Sequence, residues 1–340
     1  MGSLVQSTSS LDRPRGRAAG ELAERAAALV AEPLRQVEAR LAERMESPIG
    51  AIPQVGAHLL GAGGKRLRPL IAVLAARAAR ADMDLAIAVG CAAELIHTAT
   101  LYHDDVVDDG RVRRGRPAAR MVFGNGIVVL VGDFCLARAL QAVAATGSLP
   151  AVQSLAATVT EMAEGEVAQL EGAGNPDITA EDYFRVIDRK TASLIAWCAR
   201  VGDGTPAAVG PRLDGYGRAL GRAFQIADDV LDCIDDETAA GKSVGHDLRE
   251  GKLTLPVLLA CEADGALRGR IREELGEHGI SADAAAEILA AVRRAGGVEL
   301  ARQRAAALAK EAVSHLAALP ESPFRDALRD LALFSAERTR

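Results

Sequence analysis

Apolar residues recur at helical spacing along almost the whole chain, and this periodicity constrains the fold more than any other feature. The first periodic segment has apolar residues at Leu22, Leu29, Val30, Leu34, Val37 and Leu41. Intervals of three and four residues place such side chains on one face of a helix. Alanine and leucine dominate and aromatic residues make up only 3% of the chain, which favours closely packed helices over a sheet sandwich. The sequence therefore predicts an all-α protein.

Helix-breaking residues divide this pattern into stretches of helical length. Breaks at 47–48, 61–64, 202–206, 210–211 and 296–297 predict ten or more helices. The β-branched run 127–131 passes without a turn into an alanine-rich helical pattern, so it is predicted to be helical as well. Nothing in the middle of the chain reads as a linker. We expect one large all-α domain at residues 20–340, preceded by a flexible tail at residues 1–19 with little apolar content.

Composition excludes several classes of function. The net charge of −6 argues against a general nucleic-acid-binding surface. The five cysteines form no C-x-x-C pair, so buried free thiols are expected rather than a zinc site or a disulfide framework. No apolar run approaches the length that spans a bilayer, and the chain start lacks a secretory leader. A cytoplasmic enzyme without a nucleic-acid partner or a stable membrane span is the expectation.

Two acidic strings stand out, DDVVD at 104–108 and DDVLD at 228–232. Residues four apart overlie one another in a helix, so Asp104 and Asp108 point the same way, as do Asp228 and Asp232. Paired carboxylates suit Mg²⁺, which takes one or two carboxylates, waters and substrate phosphate oxygens. Two such pairs facing each other would hold a metal-bridged polyphosphate. A single string is weak evidence, because 46 acidic residues place carboxylates at helical spacing by chance.

Basic clusters near the strings strengthen the prediction of a polyanion site. Residues 111–117 (RVRRGRP) follow the first string, and Lys242, Arg249 and Lys252 follow the second. A third cluster contains Lys65 and Arg68 after glycines that let a backbone approach a diphosphate. It lacks the Ser or Thr and the first glycine of a P-loop. Salt bridges between neighbouring charges, and a solvated helix start at the third cluster, remain alternative interpretations.

Several segments together carry a resemblance to a known family. They are 63–69 (GGKRLRP), 94–103 (ELIHTATLYH), 113–115 (RRG), 190–192 (KTA), 224–227 (FQIA), 241–242 (GK) and 247–252 (DLREGK). In order and spacing, the chain resembles the trans-isoprenyl diphosphate synthases of the polyprenyl synthetase family over roughly residues 60–260. It is most similar to the long-chain polyprenyl diphosphate synthases.

The resemblance implies a helical bundle of the isoprenoid synthase type around a deep central cavity, and a homodimer. It also implies head-to-tail condensation of an allylic prenyl diphosphate with isopentenyl diphosphate. Mg²⁺ would assist departure of the diphosphate as Lewis acid and template. No protein nucleophile is needed, because the released diphosphate is a plausible base for the final proton.

By the same resemblance, residues receive expected roles. The metal set is Asp104, Asp108, Asp228 and Asp232, and the catalytic set adds Asp105, Asp229, Lys190, Thr191 and Gln225. The allylic diphosphate would be bound by Arg113, Lys190, Lys242 and Lys252, with Thr191 and Gln225 near the reacting carbon. Isopentenyl diphosphate would be bound by Lys65, Arg68, His97 and Arg114. Without the resemblance, His97 would be interpreted as a core histidine.

Product length is expected to depend on Ile96, Ala99 and Thr100. These residues precede Asp104 by one and two turns and so line the helix below the first string. Small side chains at 99 and 100 leave room for a growing chain, which favours a medium-to-long-chain product over a farnesyl or geranylgeranyl product. Tyr102 weighs against this, because its ring would alter the pocket wall.

Other functions fit the sequence less well. A class I terpene cyclase would need Ser or Thr at 232 and Glu at 236, whereas the chain has Asp232 and Asp236. A head-to-head synthase would use a different acidic pattern. A non-catalytic subunit of a heteromer would be expected to lose one acidic string, and both are complete here.

Overall fold

A computed structural model describes residues 14–60, 66–113, 115–234, 245–275 and 279–337. These ranges are mostly helical, so the prediction of an all-α fold with ten or more helices is confirmed. The helices are α1 (Pro14–Leu29), α2 (Ala31–Arg44), α3 (Ala51–Leu60), α4 (Leu67–Ala79), α5 (Met83–Val107), α6 (Ala119–Phe123), α7 (Asn125–Ala144), α8 (Leu149–Gly172), α9 (Ala180–Ile187), α10 (Ser193–Ala199), α11 (Gly210–Ile234), α12 (His246–Arg249), α13 (Leu255–Ala263), α14 (Gly265–Glu274), α15 (Ala282–Arg294), α16 (Gly297–His315) and α17 (Pro323–Glu337). A π-helical turn (Asp188–Ala192) joins α9 to α10, and a 3₁₀ turn (Leu316–Ala318) follows α16.

The described ranges contain one small sheet. Strands β1 (Val112–Arg113) and β2 (Arg116–Pro117) pair antiparallel, with Val112 opposite Pro117. The run 127–131 lies within α7, as predicted from its alanine-rich continuation. Helix α1 begins at Pro14, earlier than the boundary at residues 19 and 20 that composition predicts. The rest of the predicted tail lies outside the described residues.

Helix α5 forms the centre of the larger of two apolar cores. It starts at Met83, and the carboxylate of the preceding Asp82 accepts the backbone N–H groups of Asp84 (2.8 Å) and Leu85 (3.4 Å) and so caps the first turn. It packs against α2, α4 and α7, and nearly all of its residues from Leu85 to Ala99 are buried. Its length brings the first acidic string to the end of a rigid, buried rod.

Helix α11 connects the two cores. Its first half, including Leu213 and Leu220, packs in the larger core around α5. Its second half, including Ile226 and Val230, packs in a second core with α13, α15 and α16. The second acidic string therefore lies beside the second core, close to the end of a long buried helix.

Two described helices, α5 and α7, are long and apolar enough to cross a membrane by length and composition alone. The expectation that no apolar stretch reaches this length is therefore wrong, because isolated charges such as Asp133 hardly lower the mean hydropathy of a long window. The apolar window of α5 is 83% buried, which is typical of a core helix, whereas that of α7 is 39% buried.

The cysteines are structural. Cys91, Cys135, Cys198, Cys233 and Cys261 are all buried free thiols, as expected from their spacing. Burial raises the pKa of Cys91, Cys135 and Cys198 to about 12. Since the thiolate is the reactive form, these thiols are not candidate nucleophiles.

Candidate active site

The first acidic string lies at the end of α5, and its three carboxylates do not all have the same kind of partner. Asp104 and Asp108 lie one turn apart and line a cavity of about 200 Å³, here called the polar cavity. The carboxylate of Asp105 is buried and accepts from Arg113 at 2.8 Å (Nε) and 2.6 Å (Nη2). The predicted parallel orientation of Asp104 and Asp108 thus agrees with the structure, and Asp105 orients a cation that lines the same cavity.

The second acidic string, near the end of α11, is used differently. Asp228 lines a second, larger cavity of about 410 Å³ with mainly apolar walls, here called the apolar cavity. Asp229 is buried and reaches the edge of the polar cavity. The Asp232 carboxylate accepts the backbone N–H groups of His246 and Asp247, each at 3.2 Å, and Asp232 lines neither cavity.

The predicted diphosphate-binding cations lie around the polar cavity. Lys252 Nζ is 3.2 Å from Asp108 Oδ1 and 2.8 Å from Glu250 Oε2. Lys190 Nζ is 2.8 Å from Gln169 Oε1 and 2.5 Å from Glu166 Oε2. Cations held at the wall by carboxylates can exchange those partners for an incoming polyanion, because charge-assisted hydrogen bonds to phosphate oxygens are comparably strong.

Burial and neighbouring charges shift several pKa values in the polar cavity. Burial, reinforced by the carboxylates of Glu166 and Asp108, raises the pKa of Asp104 to about 6. Burial alone would lower the pKa of Lys252, but its ion pairs with Glu250 and Asp108 raise it above its usual value. Burial would raise the pKa of Glu250, yet the hydrogen bonds from His246 and Lys252 lower it to about 2. These groups form one electrostatically linked cluster on the wall of the polar cavity.

The π-helical turn brings Lys190 and Thr191 to the junction of the two cavities. Both residues line both cavities, together with Gln225 of α11. Thr191 Oγ1 donates to Gln225 Oε1 at 2.9 Å. A π-helical turn shifts the direction of successive side chains, and such turns recur at functional sites. The junction therefore offers a lysine and two polar oxygens at the entrance of an apolar space.

The apolar cavity is lined by the residues predicted to set product length. Ile96, Ala99 and Thr100 all face it, and the side chains of Ile96 and Ala99 are otherwise fully buried. Phe224, one turn before Asp228, lines the facing side. Small side chains on α5 therefore leave the space below Asp104 open.

Two described residues of the predicted isopentenyl diphosphate site, Arg68 and His97, line the apolar cavity with Asp104. Arg68 lies in the first turn of α4, just after Arg66, which is fixed by ion pairs to Glu38 (2.5 Å) and Glu94 (3.1 Å). Lys65 and Arg114 of this set, and Lys242 of the predicted allylic diphosphate set, lie outside the described ranges.

Sequence reasoning missed several side chains that line the site. They are Glu166, Gln169, Tyr183, Asp247 and Glu250. Asp247 and Glu250 lie within the family-like segment 247–252 but received no role, although the partners of Glu250, His246 and Lys252, are close to it in the chain. Glu166 and Gln169 lie three apart on α8, a spacing that places them on one helix face and could have indicated them.

The donor chemistry of the site fits Mg²⁺. The described residues contain no group of three or more His, Cys, Asp or Glu side chains that could hold a metal ion. They do contain two carboxylates one turn apart, with Asp228 on the adjoining cavity. Mg²⁺ binds through one or two carboxylates plus waters and substrate phosphates rather than in an all-protein cage, so this donor set suits a metal shared with a diphosphate.

Comparison with known proteins identifies the family. A family model described as "Polyprenyl synthetase" matches residues 50–292. The chain belongs to the polyprenyl synthetase family. It is an all-α prenyltransferase of the trans-polyprenyl diphosphate synthase type, as the resemblance implies.

Curated members of the polyprenyl synthetase family are similar over nearly their whole length. "Octaprenyl diphosphate synthase" of Escherichia coli (strain K12) is 42% identical over 92% of this chain and 98% of its own. "Heptaprenyl diphosphate synthase component 2" of Geobacillus stearothermophilus is 37% identical over 91% of this chain and 97% of its own. Both are named for medium-to-long-chain products, in agreement with the prediction from Ala99 and Thr100.

A solved structure of the family is also similar. The polyprenyl synthase of Caulobacter crescentus CB15, complexed with calcium and isoprenyl diphosphate, superposes with a TM-score of 0.88 at 38% identity, covering 94% of this chain and 98% of that one. That complex pairs a divalent cation with a diphosphate, and the family implies a divalent metal for this enzyme as well.

Proposed function

We propose that this enzyme condenses an allylic prenyl diphosphate with isopentenyl diphosphate, head to tail, and releases a medium-to-long-chain all-trans polyprenyl diphosphate. The observation that carries the proposal is the junction of the two cavities. A polar cavity lined by paired carboxylates and cations opens, at Lys190 and Thr191, onto an apolar cavity of about 410 Å³. This arrangement suits a substrate with a charged head and a growing hydrocarbon tail.

In the proposed reaction, the C–O bond to the allylic diphosphate breaks and the electron pair leaves with the diphosphate. Arg113, Lys190 and Lys252 bind the departing group. The double bond of isopentenyl diphosphate attacks the allylic cation, and the adjacent carbon then loses a proton to the released diphosphate. Thr191 and Gln225 direct oxygens towards the cation, which stabilises positive charge as it develops.

Asp104, Asp108 and Asp228 would hold Mg²⁺ in this scheme, whereas Asp232, the fourth member of the predicted metal set, instead accepts the backbone N–H groups of His246 and Asp247. Mg²⁺ bound there would supply Lewis-acid neutralisation of the departing diphosphate. Arg68 and His97, with Lys65 and Arg114, would bind isopentenyl diphosphate beside the apolar cavity. Asp104 and His97 both lie on α5, seven residues apart, which is consistent with binding of the two diphosphates at neighbouring positions.

Tyr102 does not oppose the long-chain assignment. Its side chain is fully buried, and its hydroxyl donates to the backbone oxygen of Val55 at 2.6 Å. Tyr102 does not line the apolar cavity, so its ring takes no space from a growing chain. A short-chain farnesyl or geranylgeranyl synthase is the alternative that product analysis tests.

A homodimer in the cytoplasm is part of the proposal. Within the described chain, the outer face of α7 exposes large apolar residues, including Ile127 and Leu130, whose relative exposures are 43% and 68%. A second copy is the occupant we propose for this face, and a heteromer subunit is the alternative that the "component 2" relative suggests. Five reduced, buried thiols suit a reducing compartment.

Product analysis tests the proposed activity directly. Purified protein is supplied with farnesyl diphosphate, isopentenyl diphosphate and Mg²⁺, and the products are identified by mass spectrometry, with a chelator-treated sample as control. We expect products longer than geranylgeranyl diphosphate and none in the chelated sample. Products no longer than geranylgeranyl would contradict the long-chain assignment, and no condensation at all would contradict the reaction.

A further inference from the structure

Four side chains from three elements form a continuous hydrogen-bond chain beside the cavity junction. The Tyr183 hydroxyl of α9 donates to Asp229 Oδ2 at 2.5 Å, and Gln225 Nε2 donates to Asp229 Oδ1 at 2.9 Å. Thr191 Oγ1 then donates to Gln225 Oε1 at 2.9 Å. Both oxygens of Asp229 thus receive a donor, and the amide of Gln225 has its oxygen turned towards Thr191.

The hydrogen-bond chain ends on a tyrosine to which the proposed reaction gives no binding role. Tyr183 is 6% exposed and Asp229 is 3% exposed. The Tyr183 hydroxyl donates its hydrogen to Asp229. That hydrogen is therefore not available for a diphosphate in the polar cavity. Tyr183 lines the polar cavity, but its hydroxyl is directed at Asp229, which links it to the groups at the cavity junction.

Close helix packing makes this hydrogen-bond chain rigid. A Cβ atom on Gly221 would lie 2.5 Å from the Cα atom of Ala192, and one on Gly217 would lie 2.4 Å from the Cα atom of Ala196. Glycines at these positions let α11 pack directly on the π-helical turn and on α10. The separation of Gln225 from Thr191 is thus fixed by backbone contact, and the remaining freedom is rotation of the Gln225 amide.

We propose that Tyr183 is a positioning residue that fixes the rotation of the Gln225 amide and, through it, the direction of the Thr191 hydroxyl. With the Tyr183 hydroxyl on Oδ2, the Gln225 amide nitrogen is confined to Oδ1, and Thr191 is held with its lone pairs towards the cavity junction. Without that hydroxyl, the amide nitrogen can share both oxygens of Asp229, and Thr191 loses its fixed acceptor. The inference rests on the proposed function, in which these oxygens face the allylic cation.

The test is a double-mutant cycle on the single-turnover rate, measured with farnesyl diphosphate, isopentenyl diphosphate and Mg²⁺. The proteins are Tyr183→Phe, Gln225→Ala and the double variant. The matched control is Tyr216→Phe, because Tyr216 is also fully buried and donates its hydroxyl to a backbone oxygen, that of Leu328, at 2.8 Å. Tyr216 lines neither cavity.

We expect Tyr183→Phe to slow the single turnover roughly tenfold, a loss typical of one hydrogen bond. The half-saturating concentrations of both diphosphates should stay unchanged, and Tyr216→Phe should stay within about twofold of wild type. In the Gln225→Ala background, Tyr183→Phe should have no further effect, because its route to the reacting carbon is already removed.

Three results would overturn the inference while leaving the proposed activity intact. They are a Tyr183→Phe rate like that of Tyr216→Phe, additive losses in the double variant, or a raised half-saturation with an unchanged rate, which would make Tyr183 a substrate ligand. An inactive wild-type protein would instead refute the proposed function. If Tyr183→Phe does not fold, Asp229→Asn replaces it in the same cycle with the same expected non-additivity.

Discussion

The two acidic strings have nearly the same local sequence and occupy buried helices, yet the structure gives their carboxylates different partners. In the first, Asp104 and Asp108 both face the polar cavity. In the second, Asp228 faces the apolar cavity, whereas Asp232 accepts two backbone N–H groups from the segment that returns at His246. The difference arises from the course of the chain after each string. Helix α5 ends at Val107, within the first string, whereas α11 continues past the second string to Ile234. The segment that begins at Gly245 contacts the end of α11, because the Gly245 N–H donates to the backbone oxygen of Asp232 at 2.9 Å.

The middle carboxylates differ as well. Asp105 is paired with a cation, Arg113, that itself lines the polar cavity. Asp229 receives neutral donors, Tyr183 and Gln225, and burial raises its pKa while these hydrogen bonds oppose the rise. In the first string the second carboxylate, Asp105, thus forms an ion pair, whereas in the second string the equivalent carboxylate, Asp229, accepts hydrogen bonds from neutral side chains. A shared motif fixes spacing along a helix, and the neighbours decide what each carboxylate does.

The largest effect should come from the leading carboxylate of each string. Replacing Asp104 or Asp228 with Ala should lower turnover by about a thousandfold or more, because each removes charge that would hold the metal opposite a developing diphosphate anion. Circular dichroism should show unchanged helicity. The matched control is Asp109→Asn, which removes the exposed carboxylate next to the first string and keeps a residue type that tolerates the positive φ of 51° at that position. Full activity in either alanine variant would refute the metal assignment.

The last carboxylates should separate the two strings most clearly. Asp108→Ala should reduce turnover by roughly a hundredfold with little change in unfolding free energy. Asp232→Ala should instead lower the unfolding free energy by about 1–2 kcal/mol, as loss of a helix cap does, and should keep most of the activity of the folded enzyme. Urea titration and initial rates at several Mg²⁺ concentrations distinguish the two. An Asp232→Ala enzyme that is stable but needs far more Mg²⁺ would show that Asp232 is a metal ligand after all.

The smallest change in rate, with a clear change in product, should come from the residues one turn before each string. Ala99→Phe should shorten the product, because the ring would enter the apolar cavity from α5, while the rate of the first condensation should stay within about fivefold of wild type. Phe224→Leu on α11 is the matched variant, and it should leave the product as long or lengthen it. Mass spectrometry of both product mixtures provides the comparison. An unchanged product from Ala99→Phe would place the limit on chain growth elsewhere in the cavity.

Much of this site was predictable from sequence because its signals are local. Helical period places Asp104 with Asp108 and places Ile96, Ala99 and Thr100 below them, and each of these orientations agrees with the structure. The boundary of the predicted tail and the lengths of apolar helices were less accurate, since propensity and scattered charges are weak guides to where a helix starts or ends. The roles of the individual site residues stay predictions until the variants are measured.

The sequence by itself determined the all-α fold, the two strings and the family, because helix periodicity and motif order depend only on residues near one another in the chain. Tertiary structure alone decided that Asp232 accepts backbone N–H groups from a returning segment, that Asp229 accepts from Tyr183, that Glu166 and Gln169 pair with Lys190, and that Asp108 pairs with Lys252. The physical reason is that the partner of a buried carboxylate comes from wherever packing places a donor, and the elements that meet at this site are distant in sequence.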